Sequence, residues 1–266
     1  MNIHQAIHYG EKILQQAGID QPGWNSERLL LLATEQSRSK LYAELNRELT
    51  ETESSNFSQL LKKRSEHYPL AYLEGTQEFF GREFFVNESV LIPRPETEEL
   101  IRAALQLNLR NPTVLDLGSG SGAISVTLAR ELPNSKVVSL ELSSLAMSVL
   151  KLNGAKAIVR ANFESPCFLP NTFDLITANL PYVETQDELP LETKWEPPLA
   201  LFTPSLETNY RNVISQSMRL LKQGGYLLME FGFGQAERLK ALCDQHLMEI
   251  RKDQRGIPRL FILRKM

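Results

Sequence analysis

The chain has 266 residues, 42% of them apolar, with a formal net charge of −3 and a pI near 5.9. That length allows one large or two modest domains, and the mild acidity argues against a protein that coats nucleic acid, which usually carries a basic stripe. Cys167 and Cys243 stand far apart in no metal or redox spacing, no run is long and apolar enough to span a bilayer, and MNIHQAIHYGEKI holds neither a signal core nor an Arg-rich transit pattern, so a soluble, cytoplasmic protein is expected.

Residues 1–75 read as all-helical. Ile3, Ile7, Ile13, Leu14 and Ala17 follow helical spacing, with Gly18 as the stop. Asn25 is expected to cap a second helix through Leu29 to Ala33, and Ser37 to open a short third around Leu41 to Leu45. Thr50-x-x-Glu53 is a capping-box signature for a fourth helix carrying Phe57, Leu60 and Leu61. A last short turn starts at Pro69 and ends at Gly75. Together these faces suffice for a small bundle. With eight Lys/Arg against ten Asp/Glu, it is no polybasic arm. His4 and His8 lie one helical turn apart, but no third ligand accompanies them and no metal is expected.

At Gln77–Asn87 the period changes. Two Phe-rich runs flank Gly81, as in paired strands joined tightly or in one strand with a bulge. Residues 76–92 are therefore expected to be a hairpin linker, with Phe79, Phe80, Phe84 and Phe85 either core residues or one of them facing substrate. The domain from 93 to 266 opens on LIPRPETEEL. Pro93 and Pro95 force an extended entry, Pro95 suits a first helical position, and Glu96, Glu98 and Glu99 suit a helix N-terminus. The helix should run to about Leu109. None of this explains an arginine, Arg94, between two prolines.

Thr113–Ile124, TVLDLGSGSGAI, is the organising stretch. A short apolar strand enters Gly118, Ser119, Gly120, Ser121 and Gly122, and helical spacing resumes at Ile124, Leu128 and Leu132. Strand, glycine loop and helix open a nucleotide-binding βαβ unit. Gly118-x-Gly120-x-x-Ala123 also satisfies the dinucleotide fingerprint. Asp116 is expected at the strand tip, where a carboxylate repels a pyrophosphate and suits the positively charged sulfonium and α-amino groups of S-adenosylmethionine. Glu141, near the end of the next strand, can accept hydrogen bonds from both ribose hydroxyls, worth about 1.5–3 kcal/mol for a charged acceptor; it serves NAD equally well. Beyond it, strands at 136–140, 156–160, 173–178 and 226–231 alternate with helices at 144–153, 209–222 and 234–246, and strands near 247–251 and 258–264 follow. The pattern predicts a doubly wound α/β sheet.

The strand at 173–178 ends in Asn179-Leu180-Pro181-Tyr182. Ligands of such sheets bind beyond the carboxyl ends of the strands, which puts this tetrapeptide near the methyl donor. It suits a planar nitrogen nucleophile, whose two N–H groups must be held so that its lone pair faces the methyl. The Asn179 side-chain oxygen and the Leu180 carbonyl can accept those hydrogens, Pro181 stiffens the turn, and Tyr182 offers a ring to the charge developing on nitrogen. Asn179 and Tyr182 are thus the expected catalytic residues, with transfer driven by positioning and electrostatics.

In order and spacing, LIPRPETEEL, VLDLGSGSGAI, NLPYV and Trp195-Glu196-Pro197-Pro198-Leu199-Ala200-Leu201 resemble the PrmC/HemK family of protein-(glutamine N5) methyltransferases. The resemblance spans nearly the whole chain and includes Lys252-Asp253, Gly256 and Arg259. It implies a Rossmann-like class I methyltransferase domain with a seven-stranded mixed sheet, S-adenosylmethionine as cofactor, and the glutamine of the Gly-Gly-Gln loop of bacterial peptide chain release factors as substrate. By position it implies that residues 118–122, Glu141, Phe163 and Asn179 hold the cofactor, that Asn179, Leu180, Pro181 and Tyr182 hold the glutamine amide, and that the N-terminal bundle contacts the release factor. A monomer without membrane or stable nucleic-acid binding is expected. The chain departs from the family in three places. Leu180 replaces the first proline of Asn-Pro-Pro-Tyr, which predicts a looser turn. Asn162-Phe163 replaces Asp-Trp, and the stretch at 201–209 lacks paired glycines. Rival readings are an adenine-N6 methyltransferase acting on RNA or DNA, since an exocyclic amine poses the same lone-pair problem, a non-catalytic adaptor of a translation partner, and an NAD oxidoreductase.

Overall fold

The computed structural model describes residues 1–184, 188–243 and 245–266 and divides into two compact units. The first comprises Met1–Gly75 with Leu189–Trp195, the second Thr76–Glu188 with Glu196–Met266.

The first unit is built from α1 (Ile3–Gln16), α2 (Pro22–Thr34), α3 (Arg38–Ala43), α4 (Glu51–Ser65) and α5 (Leu70–Glu74). Ile3, Leu14, Leu29, Leu30, Leu41, Phe57 and Leu61 meet in its core. Both α1 and α4 start on reciprocal capping boxes, Asn2 with Gln5 and Thr50 with Glu53, each satisfying two backbone donors that a helix start leaves orphaned. The expected cap at Asn25 is corrected. Pro22 takes the first position of α2, where its missing N–H costs nothing. Asn25 lies inside the helix and is buried; its amide donates to the Asp20 and Gln21 carbonyls and accepts from Arg64 Nε at 2.8 Å. Residues 191–195 form a 3₁₀ turn, and Trp195 packs edge-on against Tyr68 and donates to the Glu66 carbonyl.

The second unit begins with β1 (Thr76–Phe79) and β2 (Arg82–Phe85), an antiparallel hairpin. Its two turn residues, Phe80 and Gly81, both have positive φ, the geometry that matches strand twist in a two-residue hairpin. Phe79 and Phe84 are buried against each other. A 3₁₀ turn at Pro95–Thr97 leads into α6 (Glu98–Gln106). There follow β3 (Thr113–Leu117), α7 (Ala123–Glu131), β4 (Lys136–Glu141), α8 (Ser144–Leu152), β5 (Ala157–Arg160), β6 (Phe173–Ala178), β7 (Val183–Glu184), α9 (Pro198–Leu201), β8 (Phe202–Thr203), α10 (Leu206–Leu220), β9 (Leu221–Glu230), α11 (Ala236–Cys243), β10 (Leu247–Lys252) and β11 (Pro258–Arg264). The helix expected at 234–246 is thus seen to Cys243; residue 244 lies outside the described residues.

Seven strands form one mixed sheet in the order β10-β11-β9-β6-β3-β4-β5, parallel except for β11, which pairs antiparallel with both neighbours. Adjacent residues of a strand enter different cores, as a period of two demands. Leu115, Leu117, Leu227 and Met229 pack with residues of α10 and α11, while Val114 and Leu228 pack with residues of α6, α7 and the hairpin. Both faces are therefore covered, as a parallel sheet requires. The chain order reverses between β3 and β6, which opens a crevice at their C-terminal ends.

Candidate active site

That crevice holds a cavity of about 410 Å³. Its walls are supplied by the segments that leave β3, β4, β5 and β6 at their C-terminal ends, together with Ser89–Leu91 and the stretch from Pro197 to Pro204. Of the expected cofactor and substrate residues, Gly118, Ser119, Gly120, Ser121, Glu141, Phe163, Asn179, Leu180 and Pro181 line it. Gly122 and Tyr182 are not among its lining residues. Gly122 precedes α7 and donates its N–H to the Ser119 carbonyl at 2.7 Å. The partly buried Tyr182 packs on the core around α10 and β9, and burial raises its hydroxyl pKa. None of Phe79, Phe80, Phe84 and Phe85 reaches the cavity wall, so the hairpin phenylalanines are not its lining.

The glycine loop is tied to β4. Ser119 N donates to the Leu140 carbonyl, and Gly120 N to Glu141 Oε2 at 2.8 Å. The other Glu141 oxygen accepts from Ser143 N, also at 2.8 Å. The carboxylate thus fixes the loop and the start of α8 while it faces the cavity. A carboxylate has about four acceptor positions, so two remain for ligand hydroxyls.

Asp116 differs from its expected place. It is 1% exposed and absent from the cavity wall. Its carboxylate turns into the protein and accepts from Thr177 Oγ1 at 2.7 Å. Burial pushes its pKa up to about 6, against the Thr177 hydrogen bond. With both faces of the sheet covered, this side chain stays inside the protein, and its influence on a ligand runs through the adjoining loop and not through contact.

The turn after β6 is firmly held in spite of Leu180. Asn209 Nδ2 donates to the Pro181 carbonyl and Gln235 Nε2 to the Tyr182 carbonyl, both at 2.8 Å. Leu180 packs over Gly118, which has no Cβ to obstruct it. The Asn179 amide donates from Nδ2 to Thr97 Oγ1 at 3.1 Å. Asn179 and Leu180 both line the cavity, and among the described residues no group donates to Asn179 Oδ1 or to the Leu180 carbonyl.

Arg94 finds its reason here. It pairs with Glu196, which is 1% exposed and whose second oxygen accepts from Ile92 N at 3.0 Å. An extended backbone fixed by Pro93 and Pro95 presents both donors to one carboxylate. The pair joins the two motif segments that flank the cavity, 102 residues apart. Sequence reasoning missed this pairing, as it missed Thr97, because nothing local announces which distant residue a buried polar group will meet.

Residues 5–75 match the PrmC N-terminal domain and residues 109–256 a methyltransferase domain. A release factor glutamine methyltransferase from Koribacter versatilis is 35% identical over 277 residues, covering all of this chain and 99% of that one. The chain belongs to the release factor glutamine methyltransferase family. A second relative of that name, from Enterococcus faecalis, is 35% identical and covers 97% of this chain and 91% of its own. A bifunctional methyltransferase from Rickettsia typhi is 34% identical over 90% of this chain, which spans 52% of that longer protein. A ribosomal protein L11 methylase structure from Lactobacillus delbrueckii shares the fold, with a TM-score of 0.50 at 16% identity over 71% of this chain and 90% of that one. Family membership makes the chain a methyltransferase of the class I fold and sets the oxidoreductase reading aside.

Proposed function

We propose that this enzyme transfers the methyl group of S-adenosylmethionine to the side-chain amide nitrogen of the glutamine in the Gly-Gly-Gln loop of bacterial peptide chain release factors. The observation that carries the reading is the convergence of the glycine loop, Glu141 and the Asn179–Leu180 acceptor pair on one cavity in a member of this family.

The residues present fit the cofactor. Glu141 offers two spare acceptor positions for ribose hydroxyls, Phe163 offers a ring for adenine, and a Cβ at Gly120 would meet only the Gly118 carbonyl, at 3.9 Å, so backbone and ligand can approach closely there. Bound S-adenosylmethionine supplies an electrophilic methyl on a sulfonium. The protein's own part is to orient the nucleophile. An amide nitrogen is a poor nucleophile because its lone pair is delocalised into the carbonyl. Asn179 Oδ1 and the Leu180 carbonyl accept its two N–H groups, twist that lone pair towards the methyl and stabilise the positive charge that grows on nitrogen. Pro181 and the Asn209 amide hold the turn while they do so. Tyr182 supports that turn from the core side.

We assign residues 1–75 to release-factor contact, 76–92 to a hairpin linker and 93–266 to the methyltransferase domain, and infer a cytoplasmic monomer without stable nucleic-acid binding. No described helix is long and apolar enough to cross a membrane. A competition assay tests the substrate class. With labelled S-adenosylmethionine, an intact release factor should take up label while single- and double-stranded oligonucleotides take up none; label on adenine at a comparable rate would overturn the proposal in favour of an adenine-N6 methyltransferase.

A further inference from the structure

One side chain holds two walls of the cavity from outside it. Asn153 closes α8, and its amide bonds to two distant segments. Oδ1 accepts from Phe85 N at 2.8 Å, while Nδ2 donates to the Phe85 carbonyl at 2.9 Å and to the Ser121 carbonyl at 2.8 Å. Ser121 lines the cavity; Asn153 and Phe85 do not.

The partners fix the orientation of this amide. A backbone N–H only donates and a backbone carbonyl only accepts, so Oδ1 must face Phe85 N and the Nδ2 hydrogens must face the two carbonyls. A carboxylate of the same shape has no hydrogen to offer either carbonyl. In an antiparallel pair alternate residues turn their N–H and carbonyl away from the partner strand. Phe85 stands opposite Thr76 in the hairpin and gives both groups to Asn153.

On one side the amide reaches the glycine loop. There α8 also packs closely, since a Cβ at Gly122 would fall 2.7 Å from Leu150 Cδ1. On the other side it reaches the chain that leads to a second wall. Phe85 is followed by the buried Val86 and by Asn87, whose side chain accepts from Ser89 N at 3.0 Å and whose carbonyl accepts from Val90 N at 3.1 Å. Ser89, Val90 and Leu91 then line the cavity. A short hydrogen-bonded turn is all that separates Asn153's grip on Phe85 from that wall.

We propose that Asn153 is a positioning residue for the cofactor. It fixes the spacing between the glycine loop and the Ser89–Leu91 wall, and so sets the affinity for S-adenosylmethionine without touching it. This rests on the reading of the cavity as the cofactor site. Without the amide the two walls shift independently, and binding must order what the free protein no longer holds, a cost that is taken from affinity. The turn that carries Asn179 is held separately, by Asn209 and Gln235, so the transfer step itself is spared once the cofactor is seated.

Asn153→Asp in the full chain is the probe, because it keeps the shape and the acceptor for Phe85 N and loses both donors. Calorimetry with S-adenosylmethionine should find Kd raised about tenfold, the equivalent of one to two lost hydrogen bonds, at unchanged stoichiometry, and Asn153→Ala should lose at least as much. With an intact release factor, KM for S-adenosylmethionine should rise in step, while kcat at saturating cofactor and KM for the release factor stay within about twofold of the parent. A merely structural role would lower the stoichiometry or the melting temperature and leave Kd at the parent value; that result overturns the proposal. A second readout needs no variant. The Phe85 N–H lies outside the cavity, yet its hydrogen exchange should slow when S-adenosylmethionine binds, together with that of Gly120. Slowing at Gly120 without slowing at Phe85 overturns the proposal even if neither variant folds. If the parent binds no S-adenosylmethionine, the reading of the cavity fails and the proposal with it. If the parent binds it but labels no release factor, the substrate reading fails, and calorimetry and exchange still decide the role of Asn153.

Discussion

Replacing Gly118 with alanine strikes the glycine loop and the turn after β6 together. Gly118 has φ +66°, and a Cβ placed there falls 2.6 Å from Leu180 Cδ2. A left-handed backbone costs an L-residue roughly 1–2 kcal/mol. To restore ordinary contact the leucine must retreat from 2.6 to 3.4 Å, about 0.8 Å, leaving its rotamer well at a cost of about 0.5–1.5 kcal/mol. Gly154 supplies the control, with φ +92° and nothing within 4 Å of its added Cβ. Gly118→Ala should therefore destabilise by roughly 1.5–3.5 kcal/mol and Gly154→Ala by roughly 1–2. Leu180→Ala in the Gly118→Ala background should remove the difference between them. Urea unfolding of the variants measures these losses, and steady-state turnover measures the displaced turn, with kcat falling in Gly118→Ala and not in Gly154→Ala. Equal stability losses in the two glycine variants, with both fully active, would refute the packing of Leu180 on the loop.

Other consequences follow from the same geometry. Asn179→Ala should lower turnover by about 10²–10³, the usual loss of one preorganised polar contact, while calorimetry finds cofactor binding nearly unchanged. Glu141→Ala removes the acceptor of Gly120 N and Ser143 N as well as the ribose acceptor, and S-adenosylmethionine affinity should fall about 10–100-fold by titration. Arg94→Met strands the Glu196 carboxylate. The cost should be about 3 kcal/mol, the low end for a broken buried pair, because Arg94 is 35% exposed; adding Glu196→Gln should recover much of it in chemical denaturation. Asp116 has a raised pKa in the folded protein, so the native state holds its proton more tightly. Its contribution is full below pH 3.8 and is lost as pH rises through about 6. Asp116→Asn should flatten that fall, on the order of 3 kcal/mol across the window, in unfolding curves taken between pH 4 and 7.

What could be read from the residues divides along physical lines. Local pattern revealed the capping box at Thr50, the hairpin around Gly81, and the strand, glycine loop and helix from Thr113, because each depends on neighbours in sequence. The placement of Asn179 and Glu141 on one cavity followed from the general rule for parallel sheets. Partner choice over long separations stayed hidden. Arg94 meets Glu196, and Asn179 meets Thr97, only once the sheet has formed. Asp116 was misjudged because both faces of this sheet are covered, so a place near the end of β3 did not bring its carboxylate to the cavity wall. Asn25 was misjudged because Pro22 started the helix three residues earlier.

The central claim is methyl transfer to one glutamine nitrogen, and mass spectrometry of the product tests it most directly. A release factor incubated with enzyme and S-adenosylmethionine would be digested and fragmented beside the same factor carrying alanine at the loop glutamine. The account predicts one added methyl, on the side chain of that glutamine, and none on the alanine variant. A methyl elsewhere on the factor, or equal methylation of both, would contradict it.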